Sequence, residues 1–138
     1  MIRLVFLALT LCLLSPVVFA QNAAKPDSFA SNATAQDANT LIMGRYTVRL
    51  WGVEAARLSG TKLSLKGRTA MDDLIGDDAV SCSVVVWRGE QPIARCANKN
   101  NIDLAASMLQ QGYAVVERQA VTGTVYEEPY FTAEKTAR

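Results

Sequence analysis

Two cysteines, Cys82 and Cys96, stand symmetrically about Gly89 in a stretch that reads as a hairpin, and this pair limits the fold more than any other feature. Ala79 to Trp87 is valine-rich, Arg88-Gly89-Glu90 has turn character, and Gln91 to Ala97 supplies a partner strand. A hairpin centred on Gly89 opposes residues whose numbers sum to 178, as Cys82 and Cys96 do. Directly opposed strand residues have Cα atoms about 4.5–5.5 Å apart, within reach of a disulfide. A slip of one residue would part the sulfurs, so the predicted bridge depends on the register.

A structural disulfide needs an oxidising compartment, and the N-terminus predicts one. Arg3, the apolar run Leu4 to Leu14 and the small-residue end Val18-Phe19-Ala20 read as a secretory signal peptide over 1–20, cleaved after Ala20. The run is too short for a bilayer span of about twenty residues. The expected product is periplasmic or secreted, with no membrane association after cleavage, and Cys12 leaves with the signal. The remaining 118 of 138 residues suffice for one domain. Residues 21–27 read as a flexible leader and 28–138 as the domain. Loss of Arg3 leaves thirteen basic against thirteen acidic residues, a balance that argues against tight nucleic-acid binding. The chain has no histidine, which removes the commonest general base and every His-containing nucleophile pair or metal site.

Within the domain, Phe29 to Ala35 reads as a weak strand, Asp37-Ala38-Asn39 as a turn and Thr40 to Met43 as a second strand. Gly44-Arg45 turns the chain into Tyr46 to Val53, where Tyr46, Val48, Leu50 and Gly52 alternate with Thr47, Arg49, Trp51 and Val53. Gly67, Ala70, Met71, Leu74 and Ile75 form a helical stripe within 64–76, stopped at Gly76. Asp103 is a candidate N-cap for a helix over 104–111 that stops at Gly112. Tyr113 to Val116 reads as a last strand and 129–138 as a terminal helix.

This order, with its motifs, resembles the thermonuclease (staphylococcal nuclease-like) family from about Asp37 to Arg138. Asp37-Ala38-Asn39-Thr40 is similar to the family's Asp-Gly-Asp-Thr turn, and Val48-Arg49-Leu50-Trp51-Gly52-Val53-Glu54 to its Val-Arg-Leu-x-Gly-Ile-Asp. Gln91-Pro92-Ile93-Ala94 and the segments Ile102-Asp103-Leu104 and Gln111-Gly112-Tyr113-Ala114 resemble further family motifs. The resemblance implies an α+β fold, a five-stranded OB-type β-barrel with two to three helices. It also implies a calcium ion on two aspartates, a glutamate acting on the attacking water and two arginines on the phosphate. Of these, Arg49 is retained, and Glu54 stands for the second metal aspartate. Asn39 replaces the first metal aspartate, Arg57 the glutamate and Gln91 the second arginine.

A missing general base alone costs about a hundred- to ten-thousandfold in rate, so the resemblance implies a catalytically silent relative with no bound calcium and no confident catalytic or metal residue. The expected role is that of a binding or accessory protein with a protein or glycan partner. An exopolysaccharide pathway is the setting the resemblance suggests. The alternative is a residual or altered metal-dependent nuclease in which Glu54 and Asp37 hold the metal differently. Simpler roles are also open: Arg49 closing a strand end on Glu54, Asn39 as a turn residue, Arg57 and Gln91 as solvated loop side chains, Trp51 as core filling, Asp72-Asp73 as a solvent face. The family continues past Ala133 to Arg138 into a Gly-Leu-Trp that docks its last helix, which implies a looser last helix here.

Overall fold

A computed structural model describes residues 23–56 and 61–138, the side chains of 61–64 excepted. The expected signal peptide and Arg57 lie outside the described residues. In chain order the elements are β1 Ser28–Ser31, β2 Thr34–Ala35, β3 Thr40–Met43, β4 Tyr46–Leu50, β5 Val53–Ala55, α1 Thr61–Ile75, β6 Val80–Arg88, β7 Gln91–Ala97, α2 Leu104–Gln110, β8 Ala114–Val116, α3 Arg118–Val121 and α4 Glu127–Thr136.

Six strands form one sheet in the order β1-β6-β7-β4-β3-β2, and β5 pairs with β8 in a separate ribbon. The first and last strands of the sheet are joined by Asn32 and Ala33 alone. A flat six-stranded sheet would hold its edges about 24 Å apart, whereas three Cα–Cα steps reach about 11 Å at most. The sheet therefore curls until its edges approach, giving a barrel-like α+β fold. The weak strand expected over 29–35 is broken by this closure, since β1 pairs with β6 and β2 with β3.

The strand expected over 46–53 is also two strands. Gly52 takes φ 81, and a Cβ there would lie 2.9 Å from Val121 Cγ2 and 3.0 Å from Tyr130 Cε2. The chain turns at Trp51-Gly52 and carries β5 away to β8. These two breaks turn the six strands read along the sequence into eight among the described residues, against the five that the resemblance implies. The short α3 is the helix the sequence did not announce.

The predicted bridge is present: Cys82 opposes Cys96, bonded, with Cα atoms 4.1 Å apart. The turn that leads to it differs from the one expected. Arg88 pairs with Gln91, so the turn is Gly89-Glu90, and the adjoining pairs Trp87–Pro92 and Val86–Ile93 sum to 179. A bulge at Val85 inserts one residue and restores 178 from Val84–Ala94 to the cysteines. Gly89, at φ 60, takes the first turn position as a type II′ turn requires. The sheet also reaches back into the assigned leader: Asp27 O accepts from Val84 N at 2.8 Å, Pro26 O from the Trp87 indole at 3.3 Å, and Lys25 donates to Gly89 O at 2.6 Å.

Inside the curl lie Leu41, Val48, Leu50, Val53, Met71, Leu104, Met108, Leu109, Val121 and Tyr130, all but fully buried. The stripe foreseen on α1 holds, with Met71 and Ile75 buried and Gly76 at φ 65 ending the helix. Asp72, expected to face solvent, instead accepts from Ala35 N at 2.7 Å and fastens β2 to α1. Asp103 caps α2 as foreseen, accepting from Ala106 N at 3.2 Å. Its other oxygen accepts from Tyr130 OH at 2.8 Å, and Glu134, also buried, accepts from Val116 N at 3.1 Å. Both residues dock α4 firmly, contrary to the looser helix expected. Among the described residues no helix is long and apolar enough to cross a membrane.

Burial and the neighbouring Asp103 carboxylate raise the Tyr130 pKa beyond the ordinary tyrosine range. Because the folded pKa lies above the unfolded one, this phenol stabilises the fold fully below about pH 10 and progressively less above it. Tyr130→Phe is expected to lose about 1.5–3 kcal/mol at neutral pH and to flatten the alkaline fall in stability, read by urea denaturation between pH 7 and 11. Reducing the bridge, or replacing both cysteines by alanine, is expected to cost about 3 kcal/mol for a loop of this size; the urea midpoint checks it, and intact mass should show both sulfurs without their hydrogens.

Candidate functional site

Three of the residues singled out by the resemblance, Asn39, Arg49 and Glu54, lie where β3, β4 and β5 come together. Asp37 accepts from Asn39 N at 2.8 Å, the short side chain tightening the turn before β3 as Asx residues do. That turn delivers Asn39 into the interior, 7 % exposed. Its Nδ2 donates to Val53 O at 3.3 Å, and its Oδ1 accepts from Thr40 Oγ1 at 3.1 Å. Its backbone carbonyl accepts from Leu50 N at 2.8 Å. Asn39 thus ties the start of β3 to the end of β4 and to β5, work that a carboxylate, which only accepts hydrogen bonds, would not do toward a carbonyl.

Arg49 lies opposite Thr40 on β4, on the face away from buried Val48 and Leu50. Its Nη2 is 4.0 Å from Glu54 Oε1 on β5 and 3.9 Å from Glu117 Oε2 just after β8. These separations exceed charge-assisted hydrogen bonds of about 2.7–2.9 Å, so one guanidinium is shared loosely between two carboxylates. With side chains 28 %, 55 % and 29 % exposed, each pair adds on the order of 0–1 kcal/mol. The cluster carries one net negative charge.

The structure therefore brings together Asn39, Arg49 and Glu54. Gln91 opens β7 two residues before Ile93, the parallel partner of Arg49, and belongs to the hairpin end beside Gly89. Trp51 fills the core, 9 % exposed, with Tyr126 and Tyr130 rings 5.5 and 6.2 Å away. Glu117 was missed by the sequence reading. It reaches Arg49 because β5 pairs with β8 and Glu117 N donates to Gly52 O at 2.9 Å, a long-range pairing with no local signal.

No family model matches this chain, and no curated protein matches it either.

Asn39→Asp sets a carboxylate against Val53 O. It is expected to destabilise by roughly 1–3 kcal/mol at pH 7. Relative to the parent, the loss should shrink below about pH 4, where a protonated carboxyl can donate again; paired urea titrations at the two pH values check it.

Proposed function

We propose that this chain is an exported, catalytically silent relative of the thermonucleases, built on their OB-type barrel and working as a binding or accessory protein. The observation that carries the reading is the use of Asn39. At the position corresponding to a metal aspartate, both ends of a neutral amide are spent on Val53 and Thr40. A hard cation such as calcium takes six to eight oxygens, with anionic carboxylates prominent among them, and this donor set does not fit it. Glu54 shares the Arg49 guanidinium with Glu117.

Arg49 supports the reading in the same way. An arginine that stabilises a phosphoryl transition state must offer its charge to the developing oxyanion. Here an approaching phosphodiester meets two carboxylates around one guanidinium. The disulfide fits an oxidising compartment, and the apolar run of Leu4 to Leu14 supports export. The curled sheet with consecutive edge strands supports the barrel assignment. A protein or glycan partner, in an exopolysaccharide pathway as one setting, follows from the loss of chemistry with retention of the fold.

Incubation of the purified protein with supercoiled plasmid and calcium is expected to leave the plasmid intact. Metal-dependent nicking that disappears in Arg49→Ala would overturn the proposal in favour of a residual nuclease.

A further inference from the structure

A second region, around Arg95, has the makings of a binding site. The bridged cysteines point into the core, so the residues beside them in the strands face outward. Ser28 pairs with Ser83, and Ser83 with Arg95, giving one cross-strand row; Ala30, Ser81 and Ala97 form the next. These small side chains floor a cleft of about 710 Å³, walled by Tyr126 and by Asn101 and Asp103 of the loop before α2. The volume lies within the range of small-ligand sites, about 300–1,000 Å³.

The cleft is preorganised on two sides. The Arg95 guanidinium lies 4.6 Å from the Tyr126 ring centre and 5.8 Å from that of Trp51, and cation–π contact with both rings restrains it. Among the described residues it has no carboxylate within salt-bridge distance and donates no hydrogen bond to the protein, so its fork of donors is available. The loop that carries Asn101 and Asp103 is held by buried Asn98, whose Oδ1 accepts from Asn100 N and Ile102 N at 3.0 and 3.1 Å and whose Nδ2 donates to Leu74 O at 3.0 Å. Asp103, bonded to Tyr130 and Ala106, keeps lone pairs to spare.

The charge count selects the ligand. Among the described residues, Arg95 is the one cation lining the cleft and Asp103 the one anion. A phosphate dianion would bring more charge than one guanidinium matches and would meet Asp103. A single carboxylate matches the planar fork, while the serines and Asp103 suit neighbouring hydroxyls. We infer that this cleft binds a carboxylate-bearing sugar, a uronate unit of an acidic glycan, through Arg95 with Ser28, Ser81, Ser83 and Asp103 around it. The inference rests on the binding-protein reading and names its ligand class.

The test is a titration of the disulfide-bonded protein with a galacturonate oligomer, followed by amide and arginine side-chain NMR shifts. Saturable shifts at Ser81, Ser83 and Arg95 are expected, with the neutral galactose oligomer at least about tenfold weaker and Arg95→Lys costing about tenfold or more. Ser83→Leu, which fills the cleft from an exposed strand position, should abolish the shifts while near-ultraviolet circular dichroism stays native. No saturable shift at millimolar sugar, equal binding of the neutral oligomer, undiminished binding by Arg95→Lys, or equal response of these signals to inorganic phosphate would each overturn the assignment. Plasmid cleavage would refute catalytic silence whatever the cleft binds. Failure of the titration refutes the cleft and leaves that silence standing.

Discussion

Asn32 and Ala33 carry the chain from one edge of a six-stranded sheet to the other, and most of the architecture follows from that short link. A link this short forces the curl. The curl encloses Leu41, Val48 and Leu50 against Met71 of α1 and Met108 of α2. Asp72 fastens the closure from α1 by accepting from Ala35 N in β2, so the helix that covers the core also holds the seam.

The hairpin shows why sequence symmetry is an incomplete guide to register. Equal spacing of Cys82 and Cys96 about Gly89 suggested a turn centred on one residue. The turn has two central residues, Gly89 and Glu90, and alone it would place Cys82 opposite Ala97. The bulge at Val85 absorbs the extra residue. Nothing in the Val84-Val85-Val86 run marks where the insertion falls, because three successive valines carry no alternation. The pairing was legible from the cysteines, while the means of reaching it was not.

Elements whose ends carry their own chemistry were readable: Asp103 at the start of α2, Gly76 after α1, the Asx turn at Asp37. Features set by distant contacts were hidden. Gly52 alternates correctly as a strand residue, yet its left-handed φ and the closeness of Val121 and Tyr130 end the strand there. Glu117 and Tyr130 matter through pairings across the fold, with Arg49 and with Asp103. At the candidate site the residue types could be read in the sequence, whereas the internal satisfaction of Asn39 and the two carboxylates around Arg49 required coordinates.

That satisfaction bears on how such a site persists. A metal centre gathers carboxylates that repel one another and stabilise the protein only when the ion is bound. The neutral amide of Asn39 adds no charge and supplies a donor for Val53 O, so these buried polar atoms balance without an ion. Asp at position 39 would lose the donor to Val53 O and add a buried negative charge. Trp51, at the end of the strand that bears Arg49, packs its ring toward Arg95 and Tyr126. The core aromatic thus supports the outward-facing cleft, and binding capacity there is structurally independent of whether the Arg49 cluster could ever do chemistry.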